Sequence, residues 1–245
     1  MIRKLIIGCA ALLATSTLIA GEIPKAEREK LAQALSVTMG TSVAPDTIRE
    51  TSLPSIAEAR LPTGPVFISR DGTFIMQGTL FDVSKKINVT QKSIEDMQQF
   101  QFSKIPVDQA IKVVVGKGER KFVLFEDPNC GYCRKLAEEL QKIDNITAYI
   151  FPVAMIAPNS AEIATNLLCT DKPADTWRSL MAKGQPVASC PAGKKAAAEK
   201  RLQANQKLAQ KFYVSGTPTL LFQDNTRVNG FINVGELEKR LSPKK

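Results

Sequence analysis

The sequence predicts an α/β protein in which a small α+β unit and a helical spacer precede a larger domain. Three observations carry that prediction. The apolar run Phe122-Val123-Leu124-Phe125 is followed by the turn formers Asp127-Pro128-Asn129 and then by Arg134–Leu140, with Leu136 and Leu140 at helical spacing. A second apolar run, Ile146–Val153, lies beyond that helix, so the two strands form a parallel βαβ unit. Upstream, Val66–Ser69 and Thr73–Met76 flank Asp71-Gly72, a two-residue hairpin signal in a segment punctuated by Pro45, Pro54, Pro62 and Pro65.

The chain has 245 residues and a formal charge of +9. It begins Met1-Ile2-Arg3-Lys4, continues almost wholly apolar from Leu5 to Leu13, and reaches Ala20-Gly21 through small residues. A charged start, a short apolar core and a small-residue zone describe a secretory signal over residues 1–20. The apolar run is too short for a stop-transfer helix. Ile6-Ile7-Gly8-Cys9 has the form of a lipid-attachment site, but cleavage there would leave almost no apolar core. Without residues 1–20 the charge falls to +7, through loss of Arg3 and Lys4. The remaining lysines are spread over helical faces without interleaved aromatics, a solvated surface rather than a nucleic-acid footprint.

Residues 21–85 read as a separate unit. Lys25–Val37 carries Ala26, Leu31, Ala34 and Leu35 at helical spacing and ends near Gly40. The strand at Thr73–Met76 continues through Gly78–Val83 with apolar residues on both faces, so both faces should be covered. A core this thin needs support, from a second copy or from the rest of its own chain. Residues 86–104 are polar with thinly spaced apolar positions, an exposed linker helix. Residues 105–245 hold the βαβ unit, a helical stretch from Asn159 to Tyr213, a strand at Gly216–Phe222, a turn near Asn225, a strand at Arg227–Ile232 and a helix over Gly235–Leu241. That element order is a thioredoxin-like fold with a helical insertion.

The candidate chemistry sits at Cys130-Gly131-Tyr132-Cys133, on the first turn of the helix that leaves the Phe122 strand. Three readings compete: a zinc half-site, a structural disulfide and a redox pair. Structural zinc takes four N or S ligands, usually as two such pairs; the chain has no histidine and no second Cys-x-x-Cys. The same lack of histidine removes Cys–His nucleophile schemes and His-ligated haem. A purely structural disulfide has no use for the strand–turn–helix setting, whereas a redox pair does, because helix N–H groups and the positive dipole end favour a thiolate. Cys130, at the helix start, is then the attacking sulfur and Cys133, one turn in, the resolving one. Glu126 and Asp127 disfavour a thiolate; the helix end and Arg134 favour it. No metal or dissociable cofactor is needed.

Thr217-Pro218 is the second candidate. A proline opening a strand is compatible with an edge position, but X-Pro also has the one inexpensive cis bond, which would turn the Thr217 backbone outward, across from the cysteines, to pair with an extended substrate. Cys169 and Cys190 lie in the helical stretch. A disulfide between them would contribute roughly 3 kcal/mol; two buried free thiols are the alternative, less suited to an exported protein. Trp177, Leu180 and Met181 are read as core, and Lys194, Lys195, Lys200, Arg201, Lys207 and Lys211 as a solvated helix face.

Gln77-Gly78 leading to Asp82-Val83-Ser84, Cys130-Gly131-Tyr132-Cys133, the Cys169/Cys190 pair and Gly216-Thr217-Pro218 occur in the order found in the disulfide isomerase family of DsbC and DsbG, which the chain resembles over nearly all of its length after residue 20. The Gly-Tyr between the cysteines is similar to DsbC, where DsbG carries Pro-Tyr. The resemblance implies a cystatin-like N-terminal dimerisation domain, a V-shaped homodimer with helical linkers and a shared chaperone-like cleft, and a periplasmic location. It also implies a DsbD-like membrane reductant, misfolded disulfide-containing clients, catalytic Cys130 and Cys133, substrate contacts at Tyr132, Thr217 and Pro218, and a structural Cys169–Cys190 bridge. Thioredoxin carries a buried Asp six residues before its first cysteine; Leu124 stands there, so that proton acceptor is not carried over. A dithiol oxidase, a non-catalytic chaperone dimer and a monomeric reductase for a narrow client set are the competing functions.

Overall fold

The computed structural model describes residues 22–242, so the proposed signal segment lies outside the described residues. The described residues divide into two compact units: one comprises residues 22–60 with Val66–Gly78, the other Leu61–Pro65 with residues 79–242.

The first unit starts with α1 (Lys25–Met39), which buries Leu31, Ala32 and Leu35 and stops at Gly40, whose φ of 64° is the left-handed cap glycine adopts cheaply. Strands β1 (Ile48–Glu50), β2 (Ile56–Leu61), β3 (Gly64–Ser69) and β4 (Ile75–Met76) form a sheet in that order. The Asp71-Gly72 signal does mark a hairpin, with Phe67 opposite Met76 and Ile68 opposite Ile75. Its connection is longer than the expected two residues. Ser69 N donates to Phe74 O and Gly72 N to Ser69 O, while the Asp71 carboxylate accepts from Ser69 Oγ, Thr73 N and Thr73 Oγ1. Those side-chain bonds hold a wider loop and keep the Asp71 carboxyl at about 2.

The expected continuation of this strand through Val83 is not formed. Gly78 has φ 137° and breaks it; Phe81–Asp82 (β5) pairs instead with Ile87–Asn88 (β6). The turn between them is set by the Asp82 carboxylate, which accepts from Ser84 Oγ and Lys85 N. The expectation that both faces of this strand are covered also fails within one chain, where Phe74 is 69% and Val83 80% exposed. The linker helix is shorter than residues 86–104: α2 (Val89–Met97) is capped by Asn88, whose Oδ1 accepts from Gln91 N. It is also less exposed, since Ser93 and Met97, one turn apart, are both buried.

The larger sheet has the order β11-β10-β8-β9-β7, formed by β7 (Ile111–Val115), β8 (Arg120–Glu126), β9 (Ile146–Pro152), β10 (Thr219–Phe222) and β11 (Arg227–Asn229). β8 and β9 are parallel and the other neighbours antiparallel. Between β8 and β9 runs α3 (Gly131–Glu139); beyond β9 come α4 (Ser160–Cys169), α5 (Pro173–Lys183) and α6 (Ala192–Lys211), and α7 (Val234–Leu241) closes the chain. Phe122 through Phe125 are fully buried because β8 is covered on both sides. Phe122 and Leu124 pack with Leu136, Leu140, Trp177, Leu180 and Leu237. Val123 and Phe125 pack on the other side with Phe151, Ala209 and Phe212, the Phe125 and Phe151 rings stacking at 5.3 Å.

Cys169 and Cys190 are joined by a disulfide, with Cα atoms 5.6 Å apart, across 21 residues that contain α5. The α6 lysines are exposed, but Arg201 leaves that face and donates twice to Gln109 O, at 3.1 and 2.9 Å. Replacing both disulfide cysteines by serine is expected to lower unfolding free energy by about 3 kcal/mol without altering the reactivity of Cys130, checked by urea denaturation and thiol titration of the double variant.

Candidate active site

The site is built where β8 ends. The chain turns through Asp127-Pro128-Asn129, and Cys130 enters as the N-cap of α3 with extended backbone (φ −76°, ψ 113°). Its sulfur accepts from Cys133 N at 3.2 Å. A sulfur at this position receives a helix N–H and the positive end of the helix dipole, both of which stabilise negative charge. The register that sets Thr219 opposite Phe125 brings the residues preceding β10 alongside the turn after β8. The Thr217–Pro218 bond is cis, Cys130 Sγ donates to Thr217 O at 3.3 Å, and Gly230 N donates to Pro218 O at 2.7 Å. Cys130 and Cys133 are both free thiols; Cys130 is 5% exposed and Cys133 fully buried.

Asp127 ties this turn to the helical insertion. Its buried carboxylate accepts four hydrogen bonds: from Asn129 N at 2.8 Å, Ser160 Oγ at 2.8 Å, Met155 N at 2.6 Å and Ile156 N at 2.9 Å. The last two hold the loop between β9 and α4, where the Met155 and Ile156 side chains are exposed. Tyr132, also exposed, has its ring 6.4 Å from that of Phe231 and lies under Lys135 Nζ at 5.4 Å. Arg134 donates to Pro128 O at 3.2 Å and so braces the turn.

The neighbouring acid has a different environment. Glu126 is the last residue of β8 and is buried; burial, with the charge of Asp127 adding to it, raises its carboxyl to about 8 against a hydrogen bond from Trp177 Nε1 to Oε1. Cys133 is likewise pushed well above the ordinary thiol range, first by burial and then by the charge of Glu126. The dithiol is therefore asymmetric: one sulfur lies at a helix end beside a backbone carbonyl, and the other lies in the core near an acid.

Of the residues nominated from sequence, Cys130, Cys133, Thr217 and Pro218 converge here, with Tyr132 on the same helical turn. Cys169 and Cys190 instead staple the insertion. Sequence reasoning missed Asp127 as an organiser, Glu126 with Trp177 as a buried pair, and Phe231, Met155 and Ile156. The available signal was an acid continuing a fully buried apolar strand, which is costly unless the group is hydrogen-bonded or holds a proton. Among the described residues no group of three or more His, Cys, Asp or Glu could hold a metal ion, and no helix is long and apolar enough to cross a membrane.

Two outcomes are expected. Asp127→Ala leaves buried donors from three segments unpaired and should cost about 3 kcal/mol in urea denaturation, with Asp127→Asn costing less. Glu126 holds its proton more tightly folded than unfolded, so its contribution is complete below the ordinary carboxyl range and is lost as pH rises through about 8. Between pH 5 and 9 the reduced wild type should therefore lose more stability than Glu126→Gln, by on the order of 2 kcal/mol.

Comparison with known proteins places this geometry in a family. Residues 107–243 match the model of the thioredoxin-like domain, and residues 22–91 that of the disulfide bond isomerase protein N-terminal domain. The chain is 36% identical over 185 residues to a probable thiol:disulfide interchange protein DsbC of Bordetella avium, covering 76% of this chain and 65% of that protein. It is 35% identical to the Bordetella parapertussis counterpart, covering 75% of this chain and 64% of that one; the match thus spans just under two thirds of these relatives. A disulfide interchange protein from Neisseria gonorrhoeae aligns with 29% identity and a TM-score of 0.49 over 55% of this chain and 94% of that one. The chain belongs to the thioredoxin-like family, in the arrangement that sets the N-terminal domain of disulfide bond isomerases before the thioredoxin-like domain.

Proposed function

We propose that this chain is a periplasmic thiol:disulfide isomerase and reductase that corrects wrong disulfides in exported proteins. The observation that carries the proposal is the position of Cys130: its sulfur sits between a helix N–H and the Thr217 carbonyl, with Cys133 one turn inside the core. The Cys130 thiolate attacks one sulfur of a client disulfide. That bond breaks, a Cys130–client bond forms, and the second client sulfur leaves as a thiolate. A different client thiolate then attacks the client sulfur of the mixed disulfide, giving a new pairing and returning Cys130 with no net redox change. Otherwise Cys133 attacks Cys130, the client leaves reduced, and the pair is oxidised until a reductant, here a DsbD-like membrane protein, returns two electrons.

Tyr132, Thr217 and Pro218 form the client-binding surface in this reading, with the Thr217 backbone pairing with an extended chain. A homodimer through the N-terminal unit would supply the second wall of a cleft that holds unfolded clients. The exposed Phe74 and Met76, on and beside the edge strand β4, support that surface, since an open strand edge with apolar side chains invites pairing.

The direct test is refolding of a scrambled multi-disulfide substrate in glutathione buffer. Wild type should restore native pairing, Cys130→Ala should fall to the uncatalysed rate, and Cys133→Ala should retain partial shuffling while accumulating mixed disulfides. Full activity in Cys130→Ala would sink the reading in favour of a chaperone. Rapid oxidation of reduced substrate without unscrambling would favour an oxidase. Phe74→Glu with Met76→Lys should reduce the mass seen by light scattering from that of two chains to one; a wild type that already runs as one chain would contradict the dimer.

A further inference from the structure

We infer that the thioredoxin-like domain binds a small aromatic carboxylic acid in a cavity between β7, β9, α3 and α5. The site is built at the far end of α3 from Cys130 and does not rest on the exchange chemistry proposed above. The cavity has a volume of about 230 Å³. Its floor is two cross-strand pairs, Val113 opposite Ala148 and Val115 opposite Ile146. Its walls are Ala137 and Leu140 from α3 and Trp177 and Ala182 from α5. All of these except Val115 and Ala182 are buried.

The space exists because alanine stands at one lining position on each of three elements, at 137, 148 and 182. Larger apolar side chains there would meet and close it. Protein interiors pack with few gaps wider than a water molecule, and an apolar cavity destabilises in proportion to its volume. A space of this size held open by three alanines therefore fits a ligand better than a packing defect. Water suits it poorly, because a buried water needs two to four polar partners. The walls are apolar, and the Trp177 N–H is already donated to Glu126 Oε1. An apolar cavity of about 150 Å³ takes one benzene ring, so this one accommodates a ring with a short chain, about ten to twelve non-hydrogen atoms.

The polar residues of the lining define the other end of the ligand. Besides Trp177 they are Gln141, Arg178 and Lys183. Gln141 and Lys183 are exposed, which sets them where the cavity meets solvent. Arg178 is already engaged: it reaches from α5 to β7, donating to Val114 O at 3.0 Å, and pairs with Asp175 at 3.2 Å. Lys183, in the last turn of α5, has no ion-pair partner among the described residues. A ligand carboxylate at the mouth meets that ammonium while the ring lies inside against Trp177, where aromatic rings gain from offset or edge contact. An apolar body fixed by a few polar groups is the usual composition of a small-molecule site.

Trp177 is the single tryptophan of the chain, so its fluorescence reads the site without a label. The probe is hydrocinnamate, a phenyl ring on a two-carbon chain ending in a carboxylate, titrated into the full-length protein. Trp177 emission should change and saturate; no saturable change up to about 10 mM overturns the proposal. The neutral amide of the same acid should bind about fivefold more weakly. Lys183→Met should abolish that difference by weakening the acid alone. Equal binding of acid and amide by the wild type, or a difference that survives Lys183→Met, overturns the role of the cation. Octanoate, of similar size, should bind at least about threefold more weakly than hydrocinnamate; tighter binding of octanoate overturns the aromatic class. Ala182→Phe fills the cavity and should abolish binding, and binding that persists in it places the ligand elsewhere and overturns the site. If Ala182→Phe does not fold, nuclear Overhauser contacts from the ligand ring to the Ala137 and Ala148 methyl groups of the wild type decide. Their presence supports the cavity and their absence overturns it.

Discussion

The Asp127 carboxylate is the constraint on which the rest of the site depends. One buried group gathers the turn before Cys130, the loop after β9 and the first turn of α4, so the thioredoxin-like sheet and the helical insertion share a hinge point at the dithiol. Ser160 extends the node, accepting from Ala157 N and Asn129 Nδ2 while its hydroxyl donates to Asp127. With the turn held, α3 starts at Cys130 rather than a residue earlier or later, and the Cys130 sulfur meets the Cys133 N–H and the Thr217 carbonyl at once. A loosened turn would displace all three, so the Asp127 carboxylate sets the position of the Cys130 sulfur.

Adjacent acids on one strand end thus have divergent fates. Asp127 accepts hydrogen bonds from donors in three segments. Glu126, one residue earlier at the end of β8, has one donor, and its other oxygen has no hydrogen-bond partner among the described residues. Position causes the split: Glu126 ends β8 beside Trp177, whereas Asp127 opens the turn and meets the donors of the loop after β9 and of α4. The dithiol inherits the asymmetry. Cys130 sits at a charge-stabilising helix end, while the Cys133 thiol is kept protonated by burial and by a nearby acid. The two sulfurs are thus held in unlike environments, one at a helix end and one in the core.

Much of this was legible in the sequence, for identifiable reasons. The continuous run Phe122–Phe125 signals a strand covered on both faces, and the paired apolar runs around one helix signal parallel strands. Cys-x-x-Cys after such a strand specifies its own geometry, because the turn and the helix start are local. What local pattern does not encode is which distant donors converge on an acid: Asp127 depends on residues about thirty positions away, and Glu126 on Trp177. The Trp177 ring reads correctly as core from its apolar neighbours, yet its N–H has a polar partner that periodicity cannot name. Over residues 21–85, read from sequence as one unit, the misreadings arose from side-chain hydrogen bonding: Asp71 widened one turn, and Asp82 built another in a run that looked continuous. Asn88, by capping α2, likewise trimmed the linker helix.

Isomerisation and oxidation use the same two sulfurs and differ in the redox state in which the pair is kept. In the proposed isomerase reading the molecule holds clients while their disulfides are rearranged, a task that requires a free thiol. Trapping thiols in living cells with a mass-adding reagent, with Cys130→Ala and Cys133→Ala as references, reads that state directly. The account predicts that Cys130 and Cys133 are trapped as free thiols while Cys169 and Cys190 stay bonded. A Cys130–Cys133 disulfide in the steady state would contradict it and assign the chain to disulfide donation.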